Sequence, residues 1–223
     1  MAGAGVMART VDFLIIGCGI TGLSLAQSLH QRVPSASIVV VDKEPRPGRH
    51  ASGRNSGVLH SGIYYATGSL KAKYCADGAR RLAAYCDARN LPLRRVGKVI
   101  TPITEADDDT LDLLHQRAAE NGASTSVIDR QQLAELEPAV RTASGRALYS
   151  PETAVFDAGA ILEAMRQDLI ASGVEFRFDA ALRSVNPTGR SCTVGAEVWR
   201  YGHLFNAAGA FAGSIARQFG VGM

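Results

Sequence analysis

The segment from Val11 to Asp42 constrains this chain more than any other. Val-Asp-Phe-Leu-Ile-Ile at 11–16 is short, β-branched and aromatic, and reads as a fully buried strand stopped by glycine. Gly17-Cys18-Gly19-Ile20-Thr21-Gly22 then turns into a helical pattern from Leu23 to Gln31, which Pro34 ends. Ser37 to Val41 reads as a second buried strand and delivers Asp42 at its end. A β-α-β unit with glycines at 17, 19 and 22 predicts a dinucleotide site. Gly17 allows the tight turn, Gly19 lets the backbone approach a pyrophosphate, and Gly22 lets helix and strand pack closely. The pyrophosphate would sit on the helix N-terminus, where free amides and the dipole favour an anion. Asp42 would accept hydrogen bonds from a ribose, and its charge disfavours a 2′-phosphate. The bland alternative is a glycine-rich turn that holds no ligand. The motif alone does not separate NAD from FAD.

Composition narrows the classes. A chain of 223 residues allows one or two domains, and 46% hydrophobic with 20% charged residues excludes disorder. A net charge of +3, with no basic run longer than pairs such as Arg80-Arg81 and Arg94-Arg95, argues against a nucleic-acid partner. Cys18, Cys75, Cys86 and Cys192 show neither metal-ligand spacing nor a C-x-x-C, and read as free thiols in a reducing compartment. The apolar stretch from Val11 to Leu29 contains Asp12, Gln27 and three glycines, so it splits into strand and helix rather than spanning a membrane. The leader from Met1 to Thr10 lacks the apolar core of a secretory signal, and Met7 offers an alternative start. A cytoplasmic protein is expected, with peripheral contact at the inner membrane face left open.

Beyond Asp42 the pattern changes. Pro45 to Gly68 is a glycine- and serine-rich stretch too long for an ordinary connection, which points to function. Helices are predicted over Ser69–Arg89, Glu105–Asn121, Asp129–Leu136 and Asp157–Ser172. Strands are predicted over Arg94–Ile103, Val174–Phe178, Arg183–Val185 and Cys192–Arg200, with an irregular strand over Ala147–Val155. An apolar run from His203 reaches Asn206-Ala207-Ala208-Gly209 and a small-residue helix to Phe219. The acids Asp107, Asp108 and Asp109 fall in the first turn of a predicted helix, where they complement the dipole, so no metal site is expected. An NAD dehydrogenase would continue directly into β-α-β repeats, whereas here the long loop intervenes.

The run G-R-H-A-S-G-R-N-S-G-V-L-H-S-G-I-Y-Y-A-T-G-S-L-K-A-K-Y-C, Gly48 to Cys75, resembles the FAD-dependent L-2-hydroxyglutarate dehydrogenases and oxidases. These are members of the D-amino-acid-oxidase-like superfamily. The likeness extends from Val11 to Val221, and N-S-G-V-L-H-S-G-I-Y-Y is its most specific part. It implies an α/β fold: a Rossmann-like FAD-binding domain with an inserted, incomplete α+β substrate domain. The expected division is 1–80 and 151–223 for the FAD-binding segments and 81–150 for the partial substrate domain. Relatives are longer, so the resemblance implies a C-terminally truncated chain that binds FAD weakly and turns over poorly alone.

The resemblance also implies roles for residues. Gly17, Gly19, Ile20, Thr21 and Gly22 match the pyrophosphate loop, and Asp42 stands where the family more often has glutamate. Lys43 would flank the adenosine; Ser52, Asn55 and Ser56 match the loop that wraps the pyrophosphate and approaches the isoalloxazine. Leu182 matches the position whose backbone meets the adenine, and Ala208-Gly209 the turn that closes over the flavin. Arg54 sits where some relatives have histidine, and no catalytic role is attached to it. His60 is the catalytic candidate, with two readings: a base for the substrate hydroxyl proton, or a residue that orients the flavin loop without moving protons. Tyr64 and Tyr65 would line the substrate site, and Lys71, with Lys73 and Lys98 beside it, offers point charge for a dicarboxylate. A solvated surface lysine is the ordinary alternative.

The implied reaction is oxidation of L-2-hydroxyglutarate to 2-oxoglutarate by hydride transfer to FAD, with oxygen or a quinone-linked chain as electron acceptor. Oxidation of an amino acid, amine or glycerol phosphate on the same scaffold is the rival enzyme reading. A nucleotide-binding fragment without turnover is the rival of another class.

Overall fold

The apolar run from Val11 to Ile16 becomes an inner strand of a six-stranded sheet in the computed structural model, which describes residues 8–222. Met7 and the leader before it lie outside the described residues. The first elements are β1 (Arg9–Ile16), α1 (Ile20–Arg32) and β2 (Ile38–Val41). There follow β3 (Val58–Leu59), α2 (Leu70–Arg89), β4 (Leu93–Arg95), β5 (Lys98–Ile100), α3 (Asp108–Glu120), β6 (Ser126–Asp129), α4 (Arg130–Leu136), β7 (Arg146–Ser150) and β8 (Ala154–Phe156). The chain ends with α5 (Ala158–Ala171), β9 (Glu175–Arg177), β10 (Leu182–Asn186), β11 (Ser191–Val194), β12 (Glu197–Asn206) and α6 (Ala212–Gln218). Two compact units result: residues up to Asn55 together with those from Ala158 onward, and residues 56–157.

In the first unit the strand order is β10-β11-β12-β1-β2-β9. β1 runs parallel to β12 on one side and to β2 on the other, β9 runs parallel to β2, and β10, β11 and β12 are antiparallel. The two-residue repeat of a strand sorts the side chains. Leu14 and Ile16 stand opposite Val39 and Val41 and share a cluster with Trp199, Tyr201 and Ile215 of α6. Ile15 points the other way, toward Gly22 of α1. Burial on both faces is why this strand reads as a continuous apolar run rather than an alternation. On the α1 side, α1 packs against α5, whose Ile161, Leu162, Met165 and Leu169 are buried at helical spacing.

The second unit holds two antiparallel three-stranded sheets, β3-β8-β4 and β5-β7-β6. Leu111, Leu114 and Ala118 on one face of α3 meet Ile63, Ala123 and Leu148. The acids before α3 serve its start: Asp107 Oδ2 accepts the Thr104 and Ile103 amides at 2.8 and 3.1 Å, and Asp108 pairs with Arg146 at 2.9 Å. These bonds hold the Asp107 carboxyl below the usual range, and the Ser144 hydroxyl, then Arg146, do the same for Asp108. No helix among the described residues is long and apolar enough to cross a membrane.

Several expected elements are broken by backbone geometry. The strand expected over Arg94–Ile103 is split at Gly97, whose φ of +71° takes the chain out of the extended region and lets its amide reach the Thr153 carbonyl. The strand expected over Cys192–Arg200 is a hairpin turning at Gly195 (φ +59°), after which β12 runs unbroken through the apolar 203–206. The irregular strand over Ala147–Val155 is β7 and β8, interrupted at Pro151 and assigned to different sheets. The helix expected from Glu105 begins with one 3-10 turn and becomes α-helical at Asp108.

Leu14 is fully buried at the centre of this sheet. Leu14→Ala is expected to destabilise the protein by about 3 kcal/mol, read as a lower urea midpoint with an unchanged denaturant slope.

Candidate functional site

Three parallel strands end together. The Gly17 amide donates to the Val41 carbonyl at 2.8 Å and the Ala207 amide to the Ile16 carbonyl at 2.8 Å, so the tips of β1, β2 and β12 converge. A crevice outside the carboxyl ends of such strands, where connections leave in opposite directions, is where α/β sheets bind ligands. Gly17 carries φ +111°, and a Cβ there would lie 2.4 Å from the Ala207 oxygen. A Cβ on Gly22 would lie 1.9 Å from the Gly17 oxygen, so only glycine lets α1 seat this close to β1.

The second glycine of the loop brings in a distant residue. Ser52 Oγ accepts the Ile20 amide at 3.0 Å and would be 2.9 Å from a Cβ on Gly19. Ser52 is placed by a 3-10 turn, Ala51–Gly53, which Asn55 braces by donating Nδ2 to the Ser52 and Ala51 carbonyls at 2.9 and 3.3 Å. The first turn of α1 carries no acid, and the Thr21 and Gly22 amides are left without a protein partner among the described residues. Asp42 stitches the rim: Oδ2 accepts the Cys18 amide at 2.6 Å and Oδ1 the Glu44 amide at 2.9 Å. Burial, then Asp42, pushes the Cys18 thiol up to about 12, so it stays neutral beside the loop.

A cleft of about 520 Å³ opens over this loop. Of the residues singled out from the sequence, Gly17, Gly19, Thr21, Asp42, Lys43, Ser52, Leu182, Ala208 and Gly209 line it. Ile20, Gly22 and Asn55 support it from behind through the contacts above, and Ser56 belongs to the second unit. Arg49, His50, Arg54 and Phe211 also line it and were not expected there. His50 and both arginines stand in the very run that carries the resemblance, but only the fold of residues 45–55 aims them at the cleft.

The electrostatics are one-sided. Asp42 is the single acid among the lining residues, against Lys43, Arg49, His50 and Arg54. Glu44 engages Lys43 and also His50 Nε2, the latter at 2.9 Å, and these bonds hold its carboxyl low. Arg49 and Arg54 have no such acid partner among the described residues, and Arg49 Nε is buried without a hydrogen bond. A buried donor without a partner is costly. A dianionic diphosphate on the open amides would satisfy it, so the residues present fit a dinucleotide.

The family model for FAD dependent oxidoreductases, DAO, matches residues 12–223. The chain belongs to this family. Among its FAD-oxidoreductase relatives, the L-2-hydroxyglutarate dehydrogenase of Escherichia coli K12 is 33% identical over 175 residues, 78% of this chain and 41% of the relative. The mitochondrial protein of the same name from Nematostella vectensis is 36% identical over 167 residues, 74% of this chain and 35% of the relative. The chain thus spans less than half the length of these relatives. Solved structures share this fold, among them glycine oxidase from Geobacillus kaustophilus (TM-score 0.85, 18% identity, 97% of this chain and 60% of the other). L-α-glycerophosphate oxidase from Mycoplasma pneumoniae with FAD bound has a TM-score of 0.82 at 22% identity, over 94% of this chain and 57% of the other.

The remaining sequence candidates lie in the second unit. His60 meets Tyr64 edge to face at 6.4 Å between ring centroids, and burial, then the Lys98 charge, holds its imidazole below the ordinary 6.5. Lys71 Nζ lies 4.6 Å from the Tyr65 ring centroid. Lys98, weighed with Lys71 in the sequence, donates to Tyr64 Oη at 3.0 Å.

The glycine and serine contacts rank two substitutions. Gly22→Ala, with no room for its methyl, is expected to destabilise by about 3 kcal/mol through overpacking, and Ser52→Ala by about 1 kcal/mol through loss of one amide acceptor. Equilibrium unfolding of both variants checks the order.

Proposed function

We propose that the first unit binds FAD and that the protein oxidises L-2-hydroxyglutarate to 2-oxoglutarate. The observation that carries this reading is the cleft at the N-terminus of α1, with its open amides, one acid and two arginines without an acid partner among the described residues. The substrate is taken from relatives that bear its name at 33–36% identity.

The diphosphate would rest on the amides of Gly19, Thr21 and Gly22, with Ile20 held back by Ser52 and with Arg49 and Arg54 as counter-charges. Asp42 would take the ribose. Each of its oxygens already accepts one amide, yet a carboxylate offers about four lone-pair sites, so capacity for hydroxyl donors is left. Lys43 would flank the adenosine, the backbone at Leu182 would meet the adenine, and Ala208-Gly209 would close over the ring system, with Asn55 and Ser56 on the loop between. When bound, FAD supplies the two-electron acceptor for the hydride that leaves C2. His60 takes the hydroxyl proton as the carbonyl forms. Its lowered proton affinity keeps the imidazole neutral, and able to accept, at neutral pH. Tyr64, Tyr65 and Lys71 would line the substrate side. Oxygen or a quinone-linked acceptor removes the electrons. Four free cysteines support a cytoplasmic setting, with peripheral contact at the inner membrane face for a quinone-linked route.

The test is spectral. The purified protein is expected to take up FAD, weakly as this chain alone, and L-2-hydroxyglutarate, added without air, to bleach the bound flavin slowly; a protein that takes up no FAD overturns the reading, and bleaching by other substrates alone overturns the substrate. Arg49→Met should weaken FAD binding by about tenfold, the loss of one charge-assisted hydrogen bond, in fluorescence titration. By NMR, the His60 ring is expected to titrate below 6.5.

A further inference from the structure

In the second unit, the loop carrying residues 60–65 and the start of β5 are both tied to one buried serine. Ser150 ends β7 with no exposed surface and stands directly across from Lys98 in the β5–β7 ladder. Its hydroxyl is hydrogen-bonded to Ser61 Oγ at 3.3 Å and accepts from Thr153 Oγ1 at 3.1 Å. Gly97, beside Lys98, donates its amide to the Thr153 carbonyl at 2.9 Å. From the α3 side, Asn121 Nδ2 donates to the Gly62 and Tyr65 carbonyls at 3.1 and 3.0 Å. A satisfied buried polar network of this kind fixes what it connects.

What it connects is a cation and a phenol. Lys98 Nζ donates to Tyr64 Oη at 3.0 Å and lies 4.4 Å from the ring centroid. Lys71 is likewise stacked on Tyr65, 4.6 Å from its centroid. Aromatic faces attract such cations but do not neutralise them. Four acids of this unit are engaged by arginines instead: Asp77 with Arg80 and Arg81, Asp87 with Arg95, Asp108 and Asp112 with Arg146; Glu120 and Glu152 are bonded to Thr67 and Ser124. An ammonium has three donors and no acceptor, so Lys98 keeps two to give; Tyr64, having accepted one bond, keeps its own O–H. The arrangement is a pre-positioned set of donors around a positive charge that has no acid partner among the described residues.

We propose that Lys98 and Tyr64 bind a carboxylate, the one remote from the reacting carbon of a short dicarboxylate substrate, with Lys71 adding a second point charge. This rests on the proposed substrate class, since 2-hydroxyglutarate carries one carboxylate beside its hydroxyl carbon and one at the far end. Lys98 then acts as a specificity residue, separating dicarboxylates from monocarboxylates of equal length.

The test needs neither flavin nor turnover. Glutarate and valerate, equal in chain length and different by one carboxylate, are titrated into the 223-residue chain and followed through the tyrosine ring signals by NMR. Glutarate is expected to bind at least tenfold more tightly than valerate, and Lys98→Met and Tyr64→Phe each to lose most of that margin while keeping the melting temperature and FAD uptake of the parent. Equal binding of the two acids, or glutarate binding untouched in Lys98→Met, overturns the proposal. Inorganic phosphate displacing glutarate at equal concentration overturns the carboxylate assignment. Failure of FAD uptake with glutarate still bound refutes the flavoenzyme reading and leaves this site standing.

Discussion

The Gly17 oxygen occupies the space that a side chain on Gly22 would need, and this contact sets how close α1 comes to the end of β1. Its effects spread in both directions. Toward the core, the close approach brings Ile15 against α1 and sets the two-sided burial of β1. Toward the surface, it turns the first amides of α1 upward at the level where β1, β2 and β12 end. Asp42 and Ser52 then complete the rim, each spending an oxygen on a loop amide.

Charge is arranged as deliberately as shape. Glu44 engages Lys43 and His50 on the rim, whereas Arg49 and Arg54 are left with their charge toward the cleft. Cys18 sits in the same loop, but burial keeps its thiol protonated, so it adds no anion where an anionic ligand would come. In the second unit the pattern recurs with different partners: arginines engage Asp87 and Asp108, and Lys71 and Lys98 rest on tyrosines.

Much of this was legible in the sequence, and what was not has physical causes. The β-α-β unit could be read because its strands are buried on both faces and its acid follows directly. The breaks at Gly97 and Gly195 could not. Gly195 turns the chain with φ +59°, whereas Gly202, also flanked by strand formers, stays extended within β12, where a side chain would press to 2.8 Å from the Asp12 oxygen. The two look alike in the chain, since only the neighbouring strand distinguishes them. The cleft residues from the glycine loop and from Asn206-Ala207-Ala208-Gly209 were visible as motifs; Arg49 was not, because its value comes from an unpartnered nitrogen that exists only once residues 45–55 have folded.

The ladder between β1 and β12 joins Arg9 to Trp199 and Ile16 to Asn206, with the whole second unit in between. During synthesis the second unit emerges complete while β1 still lacks its neighbour, and its contacts among residues 56–157 are the more local ones. The cleft at the ends of β1, β2 and β12, by contrast, closes a loop of nearly the full chain. A ribosome that stalled before Asn206 would release an assembled second unit beside a half-built sheet, with the edge of β1 exposed to any strand that could pair with it.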